Sequence, residues 1–245
     1  MPAQRDLSLD FLSAPQRTMN MKTMFNYYGG KWRAARCYPA PQHHTLIEPF
    51  AGGAGYSLWH HDRSVKLYDK DPVVAGVWDY LIKATRTEIE RLPLIRAGQD
   101  VRELKCPIAA QDLIGFWLST GSTIPKRTLT AYASLHPNQY WSEKVRSRIA
   151  AQVDLISHWT VQCCSYADIP DQAATWFVDP PYQEAGKYYR YSSIDYADLE
   201  QWCRSRTGQT MVCENQGADW LPFRPFSTIK ARKGMSVEVL WAPNN

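Results

Sequence analysis

The chain has 245 residues, of which 44% are hydrophobic and 21% charged, and it carries a net charge of +4. This is an ordinary composition for a soluble globular protein, long enough for one large domain or for one domain carrying an insertion. No run of about 18 apolar residues offers a membrane span, and the net charge is too small to imply a polyanionic partner by itself.

Residues 1–20 hold Asp6 and Asp10 where an export signal needs an unbroken apolar segment, so they read as a mobile tail. The expected location is the cytoplasm of a bacterial or phage-infected host. Short apolar runs that end in a polar or acidic residue then predict five strands: Thr45–Glu48, Val65–Asp69, Val161–Asp168, Trp176–Asp179 and Met211–Glu214. After the second strand, Val73, Val74, Val77, Trp78, Leu81 and Ile82 form one helical face, with Asp71 as N-cap and Pro72 at the first position. After the fourth, Asp195 caps a helix through Leu199, Trp202 and Cys203. Strands alternating with helices predict an α/β fold with a Rossmann-like, doubly wound, mainly parallel sheet, whose ligands bind beyond the carboxyl ends of the strands.

From about 85 to 159 the alternation fails. The segment is helix-like, rich in Arg and Lys, and punctuated by Pro93, Pro107, Pro125 and Pro137, which predicts a small inserted domain. Residues 21–84 and 160–245 then make up the sheet domain. Between Pro125 and Arg148 five basic residues face the single acid Glu143, an excess equal to that of the whole chain. Lys22–Arg36 and Arg224–Lys233 are basic stretches without acids, and Lys187 and Arg190 sit among Tyr188, Tyr189 and Tyr191. Clustered bases with interleaved aromatics suit phosphates and unstacked bases, although a solvated basic face accounts for each segment alone. The six cysteines form no C-x-x-C pair, and four lie in apolar surroundings, so buried free thiols and no metal site are expected.

Two segments carry chemistry. Glu48-Pro49-Phe50-Ala51-Gly52-Gly53-Ala54-Gly55 follows the first strand, where glycines permit a tight turn and close approach to a ligand. Asp69 ends the second strand about 18 residues further on, the usual distance for an acid that takes ribose hydroxyls, so an adenosine-containing cofactor is favoured. Asp179-Pro180-Pro181-Tyr182 follows the fourth strand. Its prolines remove N–H donors, leaving carbonyl acceptors beside a carboxylate, a pair suited to an amine with two N–H donors.

With Tyr28-Gly29-Gly30-Lys31, Leu67-Tyr68-Asp69 and Ser165-Tyr166-Ala167-Asp168, these segments occur in the order found in the Dam-like, or D12, class of DNA adenine methyltransferases, which the chain resembles over most of its length. One departure is Ala54, which stands where the family usually has its second glycine. The resemblance implies a class I fold using S-adenosyl-L-methionine, with 85–159 as the target-recognition domain and double-stranded DNA as partner. It implies cofactor contacts from Tyr28, Lys31, Glu48, Phe50, Gly52, Gly53, Gly55, Asp69, Asp168 and Ile169, with Lys31 near the cofactor carboxylate and Asp168 near its adenine amine. It places Asp179, Pro180, Pro181 and Tyr182 around a flipped-out adenine methylated at N6. Lys126, Arg127, Lys187, Tyr188, Arg190 and Arg232 are the DNA-binding candidates. Methylation of cytosine N4, an RNA or protein substrate, and an inactive nucleic-acid-binding module are the alternatives.

Overall fold

Thr45–Glu48 forms β1, hydrogen-bonded in parallel on both sides, and its central place explains the unbroken burial of Leu46, Ile47 and Glu48. These strands belong to a computed structural model that describes residues 21–184, 186–231 and 234–243; the expected tail, residues 1–20, and Arg232 lie outside the described residues. The other strands are β2 (Ser64–Asp69), β3 (Thr160–Cys163), β4 (Ala174–Val178), β5 (Gly208–Asn215), β6 (Arg224–Ala231) and β7 (Gly234–Trp241). They form one sheet in the order β3-β2-β1-β4-β5-β7-β6. The first five neighbours run parallel, whereas β7 is antiparallel to both β5 and β6.

The direction of winding reverses between β1 and β4, which opens a crevice beyond their carboxyl ends. Helices cover both faces. On one, α1 (Gly55–Trp59) and α2 (Pro72–Lys83) bury Tyr56, Leu58, Val74, Trp78 and Leu81. On the other, α7 (Tyr196–Arg204) buries Leu199 and Cys203 against Trp176, Val178 and Val212. This is the Rossmann-like doubly wound fold that the alternation predicts. Both predicted caps are present. Asp71 accepts the Val73 N–H at 2.9 Å, and Asp195 accepts those of Ala197 and Asp198 at 3.0 and 3.1 Å.

Between α2 and β3 lie α3 (Arg86–Glu90), α4 (Ile108–Phe116), α5 (Ala131–Ser134) and α6 (Glu143–Ala150). Their buried residues Ile89, Leu113, Phe116, Val145 and Ile149 belong to the same apolar cluster as Val74 and Trp78 of α2. The segment is therefore welded to one face of the sheet.

Three expectations need correction. The third strand stops at Cys163, and Tyr166–Asp168 is a 3-10 turn closed by Ser165 and Asp168. As an edge strand paired only with β2 and largely exposed, with Val161 packed against the core, β3 has no second neighbour to prolong it. The Arg224–Lys233 stretch, read only as basic, supplies the whole of the hairpin strand β6. Of the six cysteines, all free, Cys203 and Cys213 are buried while Cys37 and Cys163 are exposed. No helix among the described residues is long and apolar enough to cross a membrane.

Candidate active site

The loop after β1 folds back on itself through two left-handed residues, Gly52 (φ 45°) and Ala54 (φ 46°). Ala54 carries a conformation that a glycine would adopt without strain, and its N–H closes a tight turn onto the Ala51 carbonyl at 2.6 Å. The segment Tyr27–Trp32 lies directly over this loop. A Cβ on Gly52 would sit 3.0 Å from the Tyr27 ring, and one on Gly55 would collide with the Trp32 backbone nitrogen. The glycines thus admit another part of the chain, an approach invisible in the local sequence.

Two carboxylates frame the loop. Glu48, 2% exposed, accepts the Ser57 N–H at 2.7 Å, and burial pushes its pKa up to about 8. Asp69 accepts the N–H groups of Gly52 and Asp71 at 2.9 and 2.8 Å; burial lifts it to about 6 against these bonds. Asp69 therefore tethers the end of β2 to the loop after β1.

Asp179 stands one residue beyond β4. Its two oxygens lie 2.8 and 2.9 Å from Lys31 Nζ, which also donates to the Gly29 carbonyl at 3.0 Å. A second carboxylate, Glu238 of β7, lies 3.7 Å from the same nitrogen. Burial works against the Lys31 charge, but Asp179 and Glu238 outweigh it and hold its pKa above the ordinary lysine value. Burial raises the Asp179 pKa while Lys31 pulls it down. Glu238, 3% exposed, accepts the hydroxyls of Tyr38 (2.6 Å) and Tyr182 (3.1 Å). The Tyr182 ring faces Lys31 Nζ at 4.8 Å. Beyond Pro180, the turn is pinned at two points. The Pro181 carbonyl accepts the Tyr196 hydroxyl at 2.8 Å, and Glu214 accepts the Gln183 N–H at 3.1 Å.

Two clefts meet at this centre. The first encloses about 870 Å³ including its open mouth, and is lined by the β1 loop, Asp69, Ser165, Tyr166, Asp179 and Tyr189 among others. The second is lined by Tyr182 and Glu238, by Lys22 and Arg33, and by Thr120 and Arg148 from the inserted segment. Gly29, Gly30, Lys31, Gly53 and Gly55 line both, so the clefts share a wall.

Of the sequence-predicted cofactor residues, Tyr28, Lys31, Glu48, Phe50, Gly52, Gly53, Gly55 and Asp69 line the first cleft. Asp168 and Ile169 do not. The Asp168 carboxylate accepts the Ser165 N–H at 3.2 Å within its own turn, and Ile169 is buried in the core beneath. Asp179 and Pro181 border the first cleft and Tyr182 the second. Among the nucleic-acid candidates, Lys126 is exposed, Arg127 is paired with Asp112 at 3.2 Å, and Lys187 stands over the ring of Tyr188, which is 60% exposed. Arg190 turns into the first cleft and meets Asp71 at 3.4 Å.

Sequence reasoning missed Glu238, whose signal is a lone acid inside the apolar run Val237-Glu238-Val239-Leu240-Trp241. It also missed Tyr27 and Tyr189, which line both clefts.

No family model matches this chain, and no curated protein matches it. Solved structures do. One is described as a "conserved hypothetical protein" of Streptococcus pyogenes, with a TM-score of 0.37 and 10% identity, covering 81% of this chain and 84% of that one. Another is described as "Putative methyltransferase yhhF" of Escherichia coli, with a TM-score of 0.34 and 11% identity, covering 81% and 74%. At that distance neither likeness bears on the chemistry, and the sheet order rests on this chain's own strand pairing.

Proposed function

We propose that this chain is an S-adenosylmethionine-dependent methyltransferase acting on the N6 amine of adenine in double-stranded DNA. The observation that carries the reading is the placing of Asp179, at the carboxyl end of β4, where a glycine-loop cleft meets a second cleft walled by Tyr182.

The first cleft fits the cofactor in donor set. Asp69 ends β2 where ribose hydroxyls are expected, and buried Glu48, whose ionised form a cationic group would favour, lines the same cleft with Asp179. Bound there, the cofactor supplies an electrophilic methyl group on a sulfonium. The chain's own part is orientation and electrostatics. Asp179 and the Pro180 carbonyl accept the two N–H groups of the target amine, which draws its lone pair out of conjugation with the ring. Lys31 opposes the burial that raises the Asp179 pKa, and so favours its ionised, acceptor form. Tyr182 stacks on the extruded base, recovering part of the few kcal/mol that unstacking costs. The proton lost from nitrogen passes to Asp179 or to water. Residues 85–159 serve as the target-recognition unit.

The test is to incubate purified protein with labelled cofactor and unmethylated DNA, digest the product to nucleosides and identify them by mass spectrometry. Methylated adenine is expected. Methylcytosine alone selects the cytosine amine, label only on RNA displaces DNA, and cofactor binding without a labelled nucleoside leaves a binding module.

A further inference from the structure

Lys22, Arg33 and Arg148 line the second cleft, and none has a carboxylate partner among the described residues. The cleft's single acid, Glu238, is buried, and its Oε1 is already engaged by Lys31 and two tyrosine hydroxyls, while its Oε2 has no hydrogen-bond partner among the described residues. Two of the cations are held by aromatic faces instead of by anions. Lys22 Nζ lies 4.7 Å from the centre of the Trp32 ring, and the Arg148 guanidinium 5.0 Å from that of Trp117. Such contacts fix a cation in place without neutralising it. Arg148 goes further: its Nε and Nη2 are buried with no hydrogen-bond partner, and burial lowers its pKa. A charge withdrawn from water and unanswered by protein is stabilised by an arriving anion. By contrast, Arg127 and Arg190 already have acid partners.

We infer that the second cleft binds the phosphodiester backbone of the strand that carries the target base, through Lys22, Arg33 and Arg148. The inference rests on the nucleobase reading given above and deepens it. The cations come from two parts of the chain, the N-terminal segment and α6, so a strand lying in the cleft meets charges from both. Backbone phosphates position the strand and carry no sequence information, which leaves base readout to other residues.

The experiment measures fluorescence anisotropy of labelled mixed-sequence oligonucleotides, single-stranded and duplex, across a potassium chloride series. Each phosphate contact contributes roughly 0.9 to the duplex log–log salt slope and 0.7 to the single-strand slope. A Lys22→Ala/Arg33→Ala/Arg148→Gln variant is expected to lose about 2 to 3 from the duplex slope and to bind at least tenfold more weakly at low salt, with cofactor affinity unchanged by calorimetry. Because Arg148 packs on Trp117, the Lys22→Ala/Arg33→Ala variant, altered only at exposed positions, is measured as well and should lose about two contacts. Wild-type slopes in both variants overturn the inference while leaving the methyltransferase reading intact. Slopes reduced as expected, with no methylated nucleoside from wild type, keep the phosphate site and remove that reading. No nucleic-acid binding by wild type overturns both.

Discussion

Lys31 and Asp179 are 148 positions apart in the chain and meet with Nζ 2.8 Å from Oδ1. The pair is mostly enclosed, and a second carboxylate, Glu238, stands 3.7 Å from the same ammonium. One cation thus serves two acids, and removing any of the three disturbs the other two.

Asp179→Ala should abolish methyl transfer while leaving cofactor binding largely intact, because the target amine loses an acceptor and the glycine loop is untouched. Loss of a preorganised polar contact of this kind costs at least 10²- to 10³-fold in rate. Single-turnover kinetics beside calorimetric cofactor titration make the measurement; wild-type turnover would remove Asp179 from the chemistry.

Lys31→Met leaves Asp179 and Glu238 as neighbouring buried acids without a counter-ion, and should cost about 3 kcal/mol of stability. Burial already raises the Asp179 pKa and Lys31 opposes that rise, so the substitution moves it further up. If the ionised form is the acceptor, the acidic limb of the pH–rate profile shifts to higher pH. A limb that stays in place would mean that Lys31 does not control the ionisation of Asp179.

Glu48 is pushed from 4.5 up to about 8 by burial. Folded protein therefore keeps a proton that the unfolded chain has released, so this group's contribution to stability declines as pH rises from about 4.5 to about 8. Glu48→Gln should flatten that part of the thermal-stability profile. A cationic cofactor favours the ionised form, and binding at pH 7 should release a proton, read as a dependence of calorimetric heat on the buffer's ionisation enthalpy. Identical heats in all buffers would contradict it.

Gly55→Ala should destabilise the protein by about 3 kcal/mol, since the new methyl meets the Lys31–Trp32 backbone and neither side is free to yield. Gly53→Ala meets only the Tyr27 Cβ, at 3.4 Å, and should be nearly neutral. Melting temperatures of the two variants test the contrast, and equal losses would contradict the close approach of segment 27–32.

The parallel strands β1, β2, β4 and β5 were legible because each buried run ends in a polar residue at the crevice, and α2 because Asp71 and Pro72 announce it. The β6–β7 hairpin was not, because β6 is an edge strand opening with Arg224 and Pro225, and its pattern is that of a polar loop. At the site, Glu48, Asp69 and Asp179 could be read from their places after strands. Their partners could not. Lys31 reaches Asp179, and Tyr27 covers Gly52, only through tertiary folding, and nothing in the spacing of the chain records those meetings.

Tyr38 hands its hydroxyl to Glu238 across 200 positions, and Glu238 sits in a late strand of the sheet. During synthesis from the N-terminus, the glycine loop, Asp69 and Asp179 all leave the ribosome before β7 exists. Until β7 docks against β5, Tyr38 and Tyr182 lack their acceptor and Lys31 lacks its second acid. Closing contacts over such separations is entropically costly and slow. A nascent chain thus carries the recognisable motifs of the site before it has the strand that completes the contacts around Lys31.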